Sequence, residues 1–527
     1  MVAGLVLALA AARASWSNPK SVDVVPYVYD HPEVYEIVTA RTTPVIKTGF
    51  SGIAYGNGAL VAVGGDGHQA SIISTRDYGD TWNLFRPTEI QGRGDADPPK
   101  VCFGGGAFAL MIGSSDTKAE ADRKTVISQY SLDGIVWQNG GNIEHLHGTR
   151  KSALWDQFNF PGYGCVYGNM FVLMSSGARK EDTNMDNRAK LKVDVSPYGT
   201  AWSRSSDLMG SHAPSVAGEF LGPVHPLRFQ TFQSIAYGNN QFVAVSFDTT
   251  AHGQGGSDLG VFAYTSPNGN HWTSTADISS ELGVPKTTDA TDVWGSMTFG
   301  SGLFVMVSRC TRQDRDPLFP CNTTGKLATS PDGATWTLRT LPASKGAIQW
   351  NSIAAGGGMF VAVGQLPGAC EGQGGGAPPL GAEASCVPNA TVCDSGKCEL
   401  IITSTDGINW NPAPAHQGII KWDQVTFGDG KFIVIASEAR ENTNDTTLST
   451  TAVRTLTYTV PVPGVPTAAP APTPTPAPTK KEPGLYAGWV LLIVIGVIVL
   501  FAAAYLVYLR ITTNNGRSKK AAMADQL

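Results

Sequence analysis

The sequence predicts an all-β fold, a seven-bladed β-propeller over residues 15–460, and three observations predict it. An alternating apolar stretch, ending in an aromatic residue, a glycine-centred turn and a Phe-Val-x-Val-like run, recurs seven times. A second turn of the form Ser-x-Asp-Gly-x-x-Trp follows most of the copies. The copies are spaced by about 60 residues, a period that belongs to stacked or radial repeat architectures.

The first element covers 51–64, 100–113, 165–175, 234–246, 296–308, 352–364 and 424–436. Its aromatic position is held by Tyr55, Phe103, Tyr167, Tyr237, Phe299 and Phe427, with Ala355 in the sixth copy. Alternation at period 2 makes strands, and Asn-Gly or Gly-Gly between them supplies the positive φ of a tight hairpin. The second turn occurs at 131–137, 330–336 and 404–410, with degenerate copies ending at Trp202 and Trp272. Its Asp caps turn amides, its Gly takes the left-handed position and its Trp packs beneath. Each unit thus reads as a four-stranded meander, A to D, that cannot bury both faces alone. Radial stacking of seven buries them and leaves short edges. The seventh unit has no second turn and lacks a strand. The N-terminal stretches 22–29 and 34–40 are expected to supply it and so close the ring.

The A–B and C–D turns emerge on one face and are tight throughout. The B–C and D–A loops emerge on the other and hold the insertions, including B–C loops at 114–125, 178–191, 248–260, 309–326, 367–399 and 438–449. Function concentrates on long loops over a rigid scaffold, so the binding face is expected there.

Thr75-Arg76-Asp77-Tyr78-Gly79-Asp80-Thr81-Trp82 resembles the Asp-box (BNR-like) repeat of sialidases and of sortilin-type receptors, and the shorter turns look like a variant of it. Propellers of the photosystem II assembly-factor type are also similar. The resemblance covers nearly the whole of 15–460 and implies the fold; it is a folding motif and does not choose an activity. A sialidase-like site would need an arginine triad, a Tyr–Glu pair and an acidic proton donor. The family marks its first arginine with Arg-Ile-Pro ahead of the first box. Here that region reads Ala40-Arg41-Thr42-Thr43-Pro44, and Arg86-Pro87 falls after the box, so no catalytic residue is assigned. The sortilin-type resemblance implies cargo sorting, although the C-terminal tail shows no dileucine or tyrosine-based signal.

Lys plus Arg number 38 against 43 Asp plus Glu, a net charge of −5. Charged residues are 15% of the chain, against roughly 25% in an average domain. That argues against a nucleic-acid partner, which demands a concentrated basic face. Residues 2–12 form an apolar run before Ala12-Arg13-Ala14, which reads as a signal peptide, 1–14. Residues 461–484 form a Pro/Thr-rich stalk: its first 23 residues hold nine prolines and four threonines, and extended they reach roughly 70 Å. Residues 485–509 are free of charge and, as a helix, would cover about 37 Å, enough to span a bilayer. Arg510, Arg517, Lys519 and Lys520 against Asp525 place the tail, 510–527, in the cytosol. The expected topology is type I single-pass, in the cell membrane or another secretory-pathway membrane.

The eight cysteines, an even count, suit an oxidising compartment. Cys310 and Cys321 flank one loop and are expected to pair. Cys370, Cys386, Cys393 and Cys398 share another, with open connectivity. Cys102 and Cys165 fall in A strands of neighbouring units, one residue out of phase, and are expected to bridge blades two and three, with a pair of buried thiols as the alternative. Sequons stand at Asn322, Asn389 and Asn444, all in B–C loops of units five to seven. If glycosylated, they direct a macromolecular partner to units one to four.

Two contiguous motifs are candidate ligand-binding residues. Arg93-Gly94-Asp95 has the form of an integrin-recognition tripeptide, and equally of an ordinary Gly-Asp turn, with Arg93 and Asp95 as its contacts. Glu144-His145-Leu146-His147 sets His145 and His147 on one side of an extended segment, where they could hold a metal; with no third ligand nearby, a solvated loop is the plainer reading and no metal is assigned. No cofactor is expected. The chain reads as a receptor-like binding or adhesion propeller for an extracellular or lumenal protein or glycan. The alternative is a membrane-tethered, sialidase-like glycoside hydrolase, which would show arginines and carboxylates around the mouth of the axial channel.

Overall fold

The computed structural model describes residues 16–26, 49–65, 70–85, 99–115, 124–147, 163–179, 190–204, 227–252, 256–284, 291–311, 325–342, 348–366, 397–417, 419, 421–442 and 445–460. Their regular structure is β-strand, antiparallel within each of seven meanders. The A strands are Phe50–Gly56, Lys100–Gly104, Tyr163–Tyr167, Leu227–Gly238, Thr291–Gly300, Gln349–Gly356 and Gln424–Gly428. Each A strand touches the next, and the seventh touches the first, so the seven form a closed circle. Clusters of buried apolar side chains lie between neighbouring blades: Val61 and Ile72 of blade 1 with Phe108 and Leu110 of blade 2, or Ile433 and Ile435 of blade 7 with Leu60 and Ile73 of blade 1. The core is therefore a set of inter-blade layers, as radial stacking demands.

The ring is closed by the start of the chain. In strand Lys20–Pro26, Lys20 to Asp23 pair antiparallel with Thr455 to Ala452, making the missing D strand of blade 7. Val24, Val25 and Pro26 then pair parallel with Trp82, Asn83 and Leu84 of blade 1. Upstream, the Trp16 and Tyr458 rings lie 4.8 Å apart, and the Ser17 N–H donates to the Thr457 carbonyl at 2.9 Å. At the same seam the Tyr78 hydroxyl donates to Asp429, which pushes the phenol above its ordinary pKa, and Lys431 Nζ lies 3.8 Å over the Tyr78 ring. The second expected segment, 34–40, lies outside the described residues.

The boxes cap as expected. In blade 5, Asp332 Oδ1 accepts from the Ala334 and Thr335 amides at 2.9 and 2.8 Å, and Ser330 Oγ accepts from the Gly333 amide at 2.7 Å. Trp336 Nε1 donates to the Gly333 carbonyl at 3.1 Å. Asp133, Asp406 and the neutral Asn268 do the same in blades 2, 6 and 4. Gly333 has φ of 73° and lies against Val243 of the preceding blade, so the turn needs both the left-handed backbone and the absent side chain.

The repeat's other glycine has a spatial cause. Gly56 lies against Phe103 of the next blade, Gly104 against Tyr167, Gly168 against Tyr237, Gly238 against Phe299, Gly356 against Phe427 and Gly428 against Tyr55. A Cβ on any of them would overlap the facing ring. Where Ala355 replaces the aromatic, Gly300 meets Ala355 and Phe360 instead. Each glycine is thus a slot for the ring of the following blade.

Two expected loops are strands. The described residues of 248–260 and 438–449 belong to long hairpins, Gln241–His252 with Gly256–Ser266 and Lys431–Asn442 with Asp445–Thr459. Their polarity reads as loop, but Thr249, Thr250, Thr450 and Thr451 are β-branched and continue the ladder. Cys102 and Cys165 are disulfide-bonded across blades 2 and 3, with Cα atoms 6.0 Å apart. Only the backbones of Cys310 and Cys398 are described; Cys321, Cys370, Cys386, Cys393 and the three sequons lie outside the described residues, as do the signal, stalk, apolar and tail segments. Among the described residues no helix is long and apolar enough to cross a membrane.

Candidate functional site

Aligning the A strands on their aromatic position brings out a second ring, three residues earlier. It consists of Gly52, Lys100, Gly164, Ser234, Ser296, Ser352 and Gln424. All seven line one cavity of about 200 Å³ on the propeller axis. Lys100 and Gln424 begin their A strands, whereas Ser234 is the eighth residue of twelve and Ser296 the sixth of ten, so the cavity lies within the circle of A strands. In four strands a bulge immediately precedes the ring residue, with register shifts at Phe50/Gly52, Phe232/Ser234, Val293/Ser296 and Trp350/Ser352. A bulge re-aims the side chains beside it, here onto the axis.

The same residues and their neighbours tie blade to blade. Ser51 Oγ donates to the Pro99 carbonyl at 2.6 Å, and Gln233 Oε1 accepts from the Trp294 amide at 3.1 Å. Ser296 Oγ accepts from Ile353 N–H at 3.1 Å, and Ser352 Oγ from Val425 N–H at 3.2 Å. At the seam of blades 7 and 1, Asp423 Oδ2 accepts from Phe50 N–H and Gln424 Nε2 donates to the Phe50 carbonyl, each at 3.2 Å. The disulfide serves blades 2 and 3. At the seam of blades 3 and 4, Gly164 faces the Phe232 ring, and the Ser234 hydroxyl, only 4% exposed, has no hydrogen-bond partner among the described residues.

Lys100 is the one cation among the cavity's lining residues. Its Nζ donates to the Ser51 carbonyl at 2.7 Å. Burial pushes its pKa down to about 8, and the positive charge of Arg309, on strand Leu303–Thr311 of blade 5, pushes the same way. The ring is lopsided: Lys100 stands between Gly52 and Gly164, which are packed against Val63 and Phe232, and Ser234, Ser296, Ser352 and Gln424 form an arc of hydroxyls and an amide around the rest. One ammonium facing several hydroxyls, over apolar Ile53, Val101 and Ile235, can hold an anionic or hydroxylated group.

Arg93 and Asp95 lie outside the described residues. His145 and His147 fall on strand Gln138–His147, the D strand of blade 2, where His145 pairs with Arg179 of blade 3 and His147 with Lys124. Among the described residues no group of three or more His, Cys, Asp and Glu could hold a metal. The structure does not join the histidine segment to the axial cavity through any described contact. The ring residues were missed from sequence, although one signal would have found them: the column three places before the aligned aromatic, read across all seven repeats.

No protein-family model matches this sequence, and no curated protein matches it. Among solved structures the chain is similar to the α-L-arabinofuranosidase Arb93A of Fusarium graminearum in complex with an iminosugar inhibitor, at 13% identity over 66% of this chain and 92% of that one, with a TM-score of 0.37. It is similar to the endosialidase of phage phi92, at 10% identity over 88% and 72% of the two chains, TM-score 0.38. It is also similar to YCF48 bound to D1 peptide, at 11% identity over 84% and 97%, TM-score 0.37. At these identities and scores the likenesses carry no functional argument; the propeller stands on its strand order and closed ring of A strands.

Proposed function

We propose that the chain is a receptor-like binding protein, held to a secretory-pathway membrane by residues 485–509, whose propeller takes a protein or glycan ligand on its loop-bearing face. The observation that carries this reading is the axial ring. One ammonium, three serine hydroxyls and an amide converge there from different blades. Such a set holds a ligand by charge and hydrogen bonds, and rigid strands position it better than loops do. The uncharged 485–509 segment and the proline-rich 461–484 support display away from a bilayer.

The test is a broad glycan array probed with the full chain in detergent, reading retained protein and released sugar together. Retention without release supports a binding receptor. Release of sugar overturns it in favour of a tethered glycoside hydrolase. Silence on both counts moves the ligand to the protein class, to be captured by crosslinking at the cell surface.

A further inference from the structure

We propose that the loop-bearing side of blades 2 and 3 carries a second contact surface, made of Lys124, His145, His147, Arg179 and Lys190, that binds an acidic polypeptide segment in extended conformation. The proposal goes beyond the axial ring and stands without it.

The strand ladder makes the surface. Blades 2 and 3 are joined by the disulfide and again where their B–C and D–A segments begin. There, strand Gln138–His147 of blade 2 pairs with strand Phe171–Arg179 of blade 3. The hydrogen-bonded order is Lys190–Ser196, Phe171–Arg179, Gln138–His147, Lys124–Ser131, so four strands from two blades form one sheet.

Register then sorts the charges. Residues directly opposite across a ladder share a sheet face, and so do alternate residues of one strand. Lys124 is opposite His147, and His145 is opposite Arg179. His145 and His147 are alternate residues of one strand. Lys190 is opposite Gly177, which alternates with Arg179. All five basic residues therefore lie on one face. Among the described residues of these strand ends, 124–126, 143–147, 176–179 and 190–191, the one acid is Glu144. It falls on the other face, as do Leu146 and its partner Ala178. Further in on the basic face, Lys192 and Asp194 are both buried.

Such an arrangement works against the ladder. Opposite charges at directly facing positions stabilise a sheet, and like charges there destabilise it. Here both facing pairs set base against base. A bound polyanion offsets that repulsion, and a local rule broken without structural gain is a mark of function. The histidine pair, which has no third metal ligand among the described residues, gains a role in this way.

Spacing selects a polypeptide. Alternate residues of an extended strand repeat at about 6.8 Å, in the protein and in a ligand alike. Carboxylates at positions i and i+2 of an extended peptide therefore match the row of Lys124 and His147 and then the row of His145 and Arg179.

The experiment follows the fluorescence anisotropy of labelled twelve-residue peptides titrated with the full chain in detergent at pH 7 and low salt. The probes are alternating Glu and Thr, alternating Gln and Thr, and a block peptide with the same glutamates contiguous. Heparin, a sulfated polysaccharide, is the competitor. The alternating acidic peptide is expected to bind at least tenfold more tightly than its Gln twin and at least threefold more tightly than the block. Lys124→Gln/Arg179→Gln should lose tenfold or more, and Glu144→Gln, on the opposite face, should bind as wild type does. The charge-reversed Lys124→Glu/Arg179→Glu should lose the acidic peptide and gain one of alternating Lys and Thr, a gain that a misfolded variant does not show. Equal binding of the Gln twin or of the block, unchanged binding by the Gln double variant, or no binding of the acidic peptide each overturns the proposal. So does displacement of the peptide by heparin at a lower concentration of charge than unlabelled peptide needs, which assigns the surface to a polysaccharide. The axial reading is decided apart from this one: array retention by Lys124→Gln/Arg179→Gln keeps it whether or not the acidic peptide binds.

Discussion

Gly428, at the end of the last A strand, lies flat against the ring of Tyr55 in the first, and the joint is of the same kind as that between Gly56 and Phe103 one blade on. The contact that stacks ordinary neighbours is the one that joins the two ends of the repeat array. Gly428→Ala should force the Tyr55 ring away and lower stability by about 1–3 kcal/mol, as overpacking does. Gly300→Ala should lose less, because the neighbour there is the small Ala355. Thermal unfolding of the two variants decides it; equal losses would count against the slot.

The box aspartates should make the protein acid-sensitive in a defined direction. Burial alone would raise the Asp332 pKa, but hydrogen bonds from the Thr335 and Ala334 amides outweigh it and hold it below its free value of 3.8. Asp77 and Asp133 behave likewise, and Asp406 is held low first by the Asn409 amide. A lowered folded pKa gives stability that is present above the unfolded value and lost as pH falls through the folded one. Stability should therefore decline from about pH 5 downward. Asp332→Asn should flatten part of that slope at little cost near neutrality, since Asn268 does the same work in blade 4. Asp332→Ala should lose about 1–2 kcal/mol at any pH above it, as loss of a cap does. Urea titrations at pH 3, 5 and 7 check all three.

Lys100 predicts the opposite sign at alkaline pH. Its folded pKa lies below the free value of 10.5, so folding favours the neutral form. The penalty is full below about pH 8 and vanishes as pH approaches 10.5. Lys100→Met should unfold at a higher temperature than wild type at pH 7, and the gap should close toward pH 10. A destabilised variant at pH 7 would show that the lysine is structural.

Removing residues 15–26 should strip the edge of strand Asp445–Thr459 and open the seam to blade 1. Secreted, protease-resistant protein should be lost. Trp16→Ala, which removes the tilted ring contact with Tyr458 and the packing of Trp16 on the neighbouring core but leaves strand Lys20–Pro26 in place, should be secreted with a lowered melting temperature. Normal secretion of the deletion variant would show that the ring closes without this strand.

Cys102 and Cys165 close a loop with a sequence separation of 63. Loop-closure entropy for that length gives an upper bound of about 4 kcal/mol. The double variant Cys102→Ala/Cys165→Ala should lower the melting temperature, and reductant should then have less effect on it than on wild type.

The fold was legible because each repeat writes its own strands: alternation around Tyr237 or Phe299, a positive-φ turn after it, and an Asp-Gly-Trp box at 330–336 or 404–410. The N-terminal strand was legible by deficit, since blade 7 lacked a partner. The long hairpins were not, because threonines such as Thr249 and Thr450 are polar enough to read as loop and branched enough to build strand. The axial ring was hidden for a geometric reason. Arg93-Gly94-Asp95 and the pair His145 and His147 are contiguous and catch the eye, whereas Lys100, Ser234, Ser296 and Ser352 are separated by about 60 residues or more and meet only when the circle closes. A site contributed one residue per blade has no local motif.

A repeat with a slot on one flank and a ring on the other is self-complementary head to tail, and such units form circles when their rotation closes. Gene duplication of a whole unit copies both halves of the joint, so a new blade arrives already fitted to its neighbours; duplication of half a unit would leave an aromatic without its glycine. The present joint at Gly300 and Ala355 is where that inherited fit has been relaxed, with Phe360 leaning into the space that the missing ring left.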